Sequence, residues 1–421
     1  MKSADRPLHI VMTVLHTSPL ARPGSADAGG LNVVVSSTAQ EIARSGHKVS
    51  LVSRKTSTDM PEVVNDVYGI KGLNAYFLPA GPSHPFAKSE TDVLIEPFTQ
   101  EFFNWWETYG HDVDIIHSHH WFAGESSLPV AREAKVPHIQ SYHSVAAEVG
   151  ENLEAGEQPE SEMRIPGESF CAAHSDLILA VSEAERDMIA RRYNPTIPIP
   201  VVYPGVDTDM FRPVGCGKPH CREGKACIAQ LTNKEPYIFF AARLQPLKGA
   251  DLAIEALARI PSEERPILII AGEASQDFAG YEESLHKRAY ECGVAENIRY
   301  VGSLSRPELA CMISYSDVMV TPSYSETFGI INLEAAACGV PVVAWNKTGL
   351  KESVINGVTG TLCETRDPEE WAQAIVNYLR DPELRAKHAQ AGRRHAQAHT
   401  WEAVAEKYVD IYRQCQGKYV K

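Results

Sequence analysis

The chain has 421 residues, 44% hydrophobic and 22% charged, with 40 Lys and Arg against 54 Asp and Glu and a net charge of −14. That balance excludes a disordered chain or a long coiled coil. The acidic excess argues against a non-specific grip on nucleic acid or an anionic membrane, so any anionic ligand needs a local basic cluster.

At about 150 residues per domain, the length allows two or three domains. The longest apolar stretches, such as Tyr237–Ala242 and Ile267–Gly272, are far shorter than the ~20 residues of a membrane helix. Lys2, Asp5 and Arg6 precede a short apolar run, Leu8–Leu15. The acidic Asp5 and the lack of a nearby small-residue cleavage site make it read as a buried first strand and not a signal peptide. Leu31–Ser45 predicts a helix, with Leu31, Val34, Val35, Ala39, Ile42 and Ala43 on one face. Lys48–Ser53, Asp114–His117, His138–Tyr142, Leu177–Val181 and Pro200–Tyr203 predict further strands.

The pattern restarts after Pro204-Gly205. Strands are expected at Tyr237–Ala241, Ile267–Ala271, Ile298–Val301, Val318–Thr321 and Pro341–Ala344. Helices are expected at Gly249–Arg259, Tyr281–Cys292, Arg306–Tyr315, Gly329–Ala337, Glu369–Arg380, Pro382–His399 and Trp401–Gln414. The turn-rich Asp207–Leu231 reads as a linker with an insertion. Such alternation implies two doubly wound α/β lobes facing a cleft, divided near residue 206. The nine cysteines are mostly isolated and odd in number, which suits a reducing cytoplasm and argues against a full disulfide framework.

In the second lobe, Glu326 and Glu334 stand eight apart in SETFGIINLEA. Eight helical residues span ~12 Å, about the length from sugar ring to ribose in a nucleotide sugar. The helix start between them, after Gly329, points N–H groups at whatever lies in front, which suits a diphosphate. A solvated loop glutamate and a half-buried helix glutamate are the plainer alternative. ARLQPLKG places Arg243 and Lys248 just after the lobe's first strand, at its ligand-facing edge. Two cations there can hold a diphosphate and stabilise the charge that develops as it leaves.

In the first lobe, Gly29-Gly30 lies between the first strand and its helix, where backbone can approach a ligand closely. The spacing is not G-x-G-x-x-G, so a nicotinamide fingerprint is not supported. His117, His119 and His120 stand at one strand end and His143 at another. His117 and His119 share a strand face; without a third ligand at suitable spacing, polar cleft lining is favoured over zinc. His143 reads as a hydrogen-bond donor to a sugar. Lys88, Asn32 and Arg164 are polar residues near element ends, and Arg164 with Glu168 can equally be a helix-surface pair. Cys216, Cys221, Cys227 and His220 lack a C-x2-C knuckle and read mainly as a solvent loop.

Glu326-x7-Glu334, Arg243-x4-Lys248, the Gly29-Gly30 loop and His143 together resemble the retaining glycosyltransferases of family 4, and most closely their inositol-phosphate branch. The resemblance covers nearly the whole chain. HTSPLARPGSADAGGLNV, AGPSHPFAKSE, HSHHWFAG, PGVDTDMFRP and SYSETFGIINLEAAACGVPVVA carry it. It implies a GT-B architecture: two Rossmann-like domains, an acceptor lobe of residues 1–205 completed by a C-terminal helix, 401–421, and a donor lobe of residues 206–400.

It further implies that Arg243 and Lys248 hold the donor diphosphate with Gly30 opposite. Glu326 and the backbone of Phe328, Gly329 and Ile330 would meet the hexose, Glu334 the ribose, and the backbone near Leu304 the base. His143 would touch the hexose and help place the acceptor. Lys88, His120, Ser144 and Arg164 match the set that holds an acceptor phosphate, with Asn32 near the inositol ring. Here His120 stands for the branch's Tyr and Ser144 for its Thr, Leu304 stands where Arg is frequent, and the cysteine insertion is foreign to the pattern. The expected activity is retaining hexosyl transfer (N-acetylglucosamine or glucose type) from a UDP-sugar to an acceptor hydroxyl. No cofactor is required, Mg2+ is compatible, and no nucleic acid or membrane partner is implied; a homodimer is compatible. Alternatives are a sucrose-phosphate-synthase-like or natural-product transferase, a nucleotide-sugar epimerase, or a non-catalytic nucleotide-sugar-binding protein.

Overall fold

A computed structural model describes residues 6–21, 28–146, 161–214, 228–274 and 278–419. The cysteine insertion, with Cys216, Cys221, Cys227 and His220, lies outside the described residues.

Two sheets organise the chain. The first has β1 (His9–Val14), β2 (Lys48–Arg54), β3 (Val63–Val64), β4 (Leu73–Leu78), β5 (Ile115–His119), β6 (His138–Ser141) and β7 (Leu177–Ile178), in the order β3-β4-β2-β1-β5-β6-β7. Only β3 runs antiparallel to its neighbour. The second has β8 (Tyr237–Ala241), β9 (Ile267–Ala271), β10 (Ile298–Tyr300), β11 (Val318–Thr321), β12 (Val342–Trp345) and β13 (Gly360–Cys363), in the order β10-β9-β8-β11-β12-β13, all parallel. Every residue of β1 and β9 is buried. Helices cover both faces of a parallel sheet, so its central strands read as continuous apolar runs.

In each sheet the strand order reverses beside its first strand, between β1 and β5 and between β8 and β11. Loops leaving adjacent parallel strands on opposite sides of the sheet open a crevice at such a point. Register fixes which residues reach it: Thr13 lies opposite Ser118, and His119 opposite Ser141. The segments just after β1, β5 and β6 therefore emerge at one edge, as do those after β8 and β11.

The C-terminal helix, Trp401–Tyr419, does not stay with the second sheet. Its Trp401, Val404, Tyr408 and Tyr412 join Ile10, Val35 and Ile42 in the core of the first lobe. This places the chain's last helix against its first.

Pro200–Tyr203 does not form the expected strand. It makes only an isolated bridge, Val201 to Ala180, because Pro198, Pro200 and Pro204 withhold ladder N–H groups. The strand expected at Leu177–Val181 is correspondingly short.

Candidate active site

On the second lobe, the turn after β8 carries Arg243 and Lys248 and the loop after β11 carries Glu326. The two loops are tied together. Tyr324 N–H donates to Leu247 O at 2.8 Å, and Arg366 donates to Pro322 O at 2.7 Å while stacking on Tyr324, its guanidinium carbon 3.3 Å from the ring centre. Gly249 closes the turn at φ +70°, where an added Cβ would lie 2.3 Å from Pro322 O; only glycine allows that approach. Lys248 Nζ then meets Glu326 Oε1 at 2.7 Å, the two side chains 13% and 21% exposed.

The helix that begins at Ile330 (Ile330–Ala337) is led by Phe328, 4% exposed and stacked on Tyr203, and by Gly329 at φ +88°. Glu326 lies before the helix, so only the steps from Ile330 to Glu334 are helical, and the 12 Å helical spacing expected for Glu326 and Glu334 does not apply to the whole stretch. Glu334 is 2% exposed. Burial pushes its carboxyl up from the ordinary range, against the opposing charge of Arg306, whose Nη2 lies 2.6 Å from Oε1. Leu304 packs at the margin of the second lobe's core.

The first lobe meets this surface closely. A Cβ on Gly29 would lie 3.5 Å from Arg243 Nε, and one on Gly30 3.8 Å from Ile330 Cδ1. Asn32, 1% exposed, accepts from Gly29 N–H at 2.9 Å and donates to Thr17 Oγ1 and Ser18 O. Its amide thus organises the glycine loop. The lobes are also stitched at His143, whose carbonyl accepts from Thr327 Oγ1 at 2.6 Å. His143 sits at φ +59°, and its Nε2 lies 2.8 Å from His119 Nδ1. Burial lowers its pKa to about 3, so at neutral pH it is an uncharged hydrogen-bonding group and a weak base.

A second cationic cluster, Lys88 and Arg164, lies near His16 and His120. Arg164 donates to Glu168 Oε1 at 2.6 Å and to Ser144 Oγ at 3.1 Å. The Arg164–Glu168 pair is buried, at 5% and 0% side-chain exposure, and is not a helix-surface pair. Lys88 opens a turn at Lys88–Leu94. The preceding loop is fastened by Arg54, which is 3% exposed and donates to Pro82 O and His84 O at 2.6 and 2.7 Å.

His120 is 2% exposed and neither ring nitrogen has a hydrogen-bond partner. Burial and the nearby Lys88, His16 and Arg164 hold it neutral. Its backbone, φ 72° and ψ 154°, lies where only glycine is comfortable, at a cost of order 1–3 kcal/mol.

His117 departs from the expected cleft lining. It is fully buried between Tyr412 OH at 2.7 Å and Ser141 Oγ at 3.0 Å. It shares a strand face with His119, their ring centres 4.1 Å apart, but that face meets the C-terminal helix. Sequence reasoning missed His16, whose ring lies 4.7 Å from that of His120. Its place just past β1, at the point of strand-order reversal, was the available signal. It also missed Arg306, Thr327 and Arg366, whose partners are distant in sequence.

Known proteins resemble this chain along nearly its whole length. Residues 28–210 match the Glycosyltransferase Family 4 description and residues 228–395 match Glycosyl transferases group 1. A D-inositol 3-phosphate glycosyltransferase of Saccharomonospora viridis is 32% identical over 99% of this chain and 96% of its own. One of Xylanimonas cellulosilytica is 34% identical over 96% of each. The sucrose-phosphate synthase of Thermosynechococcus elongatus superposes with a TM-score of 0.85 at 26% identity, covering 97% of this chain and 98% of that one. With two facing parallel-sheet lobes, a returning C-terminal helix and full-length relatives of this kind, the chain belongs to glycosyltransferase family 4 and has the GT-B fold.

Proposed function

We propose that this chain transfers a hexose, of the N-acetylglucosamine or glucose type, from a UDP-sugar to a hydroxyl of a phosphorylated polyol or sugar, with retention at the anomeric carbon. The observation that carries this is the convergence on one neutral ring, His16, of charge from Arg243 of the second lobe and from Lys88 and Arg164 of the first. Arg243 and Lys248 stand toward the second lobe with the start of the Ile330–Ala337 helix. Lys88, Arg164, Ser144 and His120 stand toward the first. Two anions at two places suit a diphosphate donor and a phosphate-bearing acceptor. The names of the relatives and of the solved neighbour each carry a phosphorylated polyol or sugar.

In this scheme the bond from the anomeric carbon to the diphosphate oxygen breaks as the acceptor oxygen bonds on the same face. The acceptor proton passes to the departing phosphate oxygen. Arg243, Lys248 and the helix start stabilise the charge that develops there. Glu326 orients the hexose, helped by the backbone of Phe328, Gly329 and Ile330, Glu334 binds the ribose, and the backbone near Leu304 meets the base. Gly29 and Gly30 let the first lobe close on the diphosphate, and Asn32 holds that loop beside the acceptor ring. Residues 1–205 with 401–421 form the acceptor lobe and residues 206–400 the donor lobe. No resident metal is needed, and Mg2+ is compatible as a counter-ion. A cytoplasmic setting fits the donor chemistry and the free thiols of Cys171 and Cys363.

The test is UDP release from UDP-glucose and UDP-N-acetylglucosamine, each offered with inositol 3-phosphate, fructose 6-phosphate, or their dephosphorylated forms. Release that depends on the acceptor phosphate, with an α-linked product by NMR, is expected. Equal turnover of unphosphorylated acceptors overturns the acceptor assignment, a β-linked product overturns retention, and a new nucleotide sugar formed from donor alone identifies an epimerase. Preference for fructose 6-phosphate would favour the synthase-like alternative.

A further inference from the structure

Glu334 is a carboxylate taken out of water, and such a group needs a counter-charge and hydrogen bonds to stay ionised. Two charged groups act on it. Arg306 attracts it from 2.6 Å, and Asp207 repels it. Arg306 is the counter-charge at Oε1, which is buried and has no other hydrogen-bond partner. Arg306 is held independently of this contact. It is the first residue of the Arg306–Tyr315 helix, behind a Ser305–Glu308 capping box, and its guanidinium carbon lies 4.6 Å from the centre of the fully buried Phe211 ring. Its side chain is 24% exposed. It lines a groove of about 480 Å3 between the lobes, together with Asn32, Val33, Asp207 and Met210. The arrangement is thus a fixed cation that reaches the groove on one side and holds a buried carboxylate on the other.

We infer that Arg306 is a positioning residue for the donor: it keeps Glu334 ionised and aimed, and so sets the affinity for the ribose diol of the nucleotide. This rests on the proposal above that Glu334 faces the donor ribose. An ionised carboxylate accepts from both diol hydroxyls with charge-assisted hydrogen bonds, whereas a protonated one accepts more weakly. Without Arg306, burial and Asp207 act on Glu334 unopposed, and it protonates at a higher pH. Loss of Arg306 must therefore weaken nucleotide binding most at low pH and least at high pH.

The experiment is calorimetric binding of UDP to the full chain and to R306Q and R306K between pH 6 and pH 8.5. The ratio of variant to wild-type Kd is taken at each pH, so that the titration of UDP itself cancels. R306Q is expected to bind about tenfold or more weakly at pH 6, recovering to within a few-fold at pH 8.5, with R306K near wild type throughout. A pH-independent loss in R306Q means a structural role only and overturns the inference, as does unchanged binding. Should R306Q not fold, R306K weakened as pH rises, or weakened equally at every pH, overturns it as well. Wild-type protein that binds no UDP sinks the donor assignment itself, a different result from wild type that binds UDP while R306Q is indifferent.

Discussion

The two sides of the cleft keep charge in different ways. On the second lobe each cleft carboxylate is matched by a cation, Lys248 with Glu326 and Arg306 with Glu334. On the first lobe the polar groups are largely imidazoles. Buried nitrogens of His16, His119 and His120 lack hydrogen-bond partners, and burial lowers the pKa of all three. Ion pairs leave carboxylates that can be exchanged for a ligand's own negative charge. Buried neutral imidazoles instead offer hydrogen bonds that the fold itself does not satisfy, which lowers stability. The first lobe is therefore the more strained half and the second the more balanced.

Acid should expose that difference most strongly. His9, His16, His47, His117, His119, His120, His138 and His143 of the first lobe are all held below the ordinary histidine value, chiefly by burial, His138 and His143 at about 3. Among the described residues after residue 206, burial lowers His388 and His395 in the same way. A histidine with a depressed folded pKa takes up its proton in the unfolded state first. Its contribution is complete above about pH 6.5 and is lost as pH falls toward the folded value, at roughly 1.4 kcal/mol per pH unit for each group. The first lobe should unfold at higher pH than the second, giving two acid transitions by pH-stepped hydrogen exchange. One transition shared by both lobes would show that the sheets melt as a unit.

Lys248→Ala tests the balanced side. It removes a cleft cation and no core volume, so turnover should fall on the order of 10²–10³-fold with little change in melting temperature. A variant that turns over normally, or one that unfolds, removes Lys248 from the diphosphate role. His120→Phe tests the strained side in the opposite sense. Replacing two buried nitrogens that have no partners by an apolar ring of similar size should raise stability by about 1–2 kcal/mol, read by denaturant melts. Acceptor KM should rise tenfold or more while donor hydrolysis persists. A destabilised variant with unchanged acceptor KM would make His120 an ordinary core residue.

The same contrast governs what the sequence disclosed. In the second lobe Tyr237–Ala241, Ile267–Ala271, Val318–Thr321 and the helix Arg306–Tyr315 have the predicted ends, because short apolar strands alternate there with amphipathic helices. In the first lobe the helix Trp121–Ala134 was not readable. It is buried along most of its length, with Pro129 inside, and starts from His120 in a strained conformation, so no 3.6-residue stripe marks it. The helix Ile95–Tyr109 does carry such a stripe, Phe98, Phe102 and Trp105, and could have been read from it. Lys248 and Glu326 were readable from spacing and type. Their contact was not, since it depends on strand order, which brings β8 beside β11 across some 80 residues of chain. Arg306 escaped for the same reason: its partner Glu334 and its support Phe211 lie on different elements.

The smallest expected effect concerns how the unlike halves are held together. The Glu352 carboxylate accepts from the N–H groups of Glu183 and Ala184, at 2.8 Å each, across the lobes. These are the first residues of the helix Glu183–Tyr193, so a second-lobe side chain caps a first-lobe helix. Removing a cap costs about 1 kcal/mol, and a carboxylate at a helix start adds its attraction for the dipole. Glu352→Ala should therefore lower stability by about that amount and raise donor KM a few-fold, because the face opposite the diphosphate is less firmly docked. Glu352→Gln should recover most of the stability, since its amide oxygen still accepts, but only part of the KM. If both variants match wild type in KM, the lobes are registered by the packing of Ile330, which touches the cores of both, and by the returning C-terminal helix; the cap then serves its own helix alone.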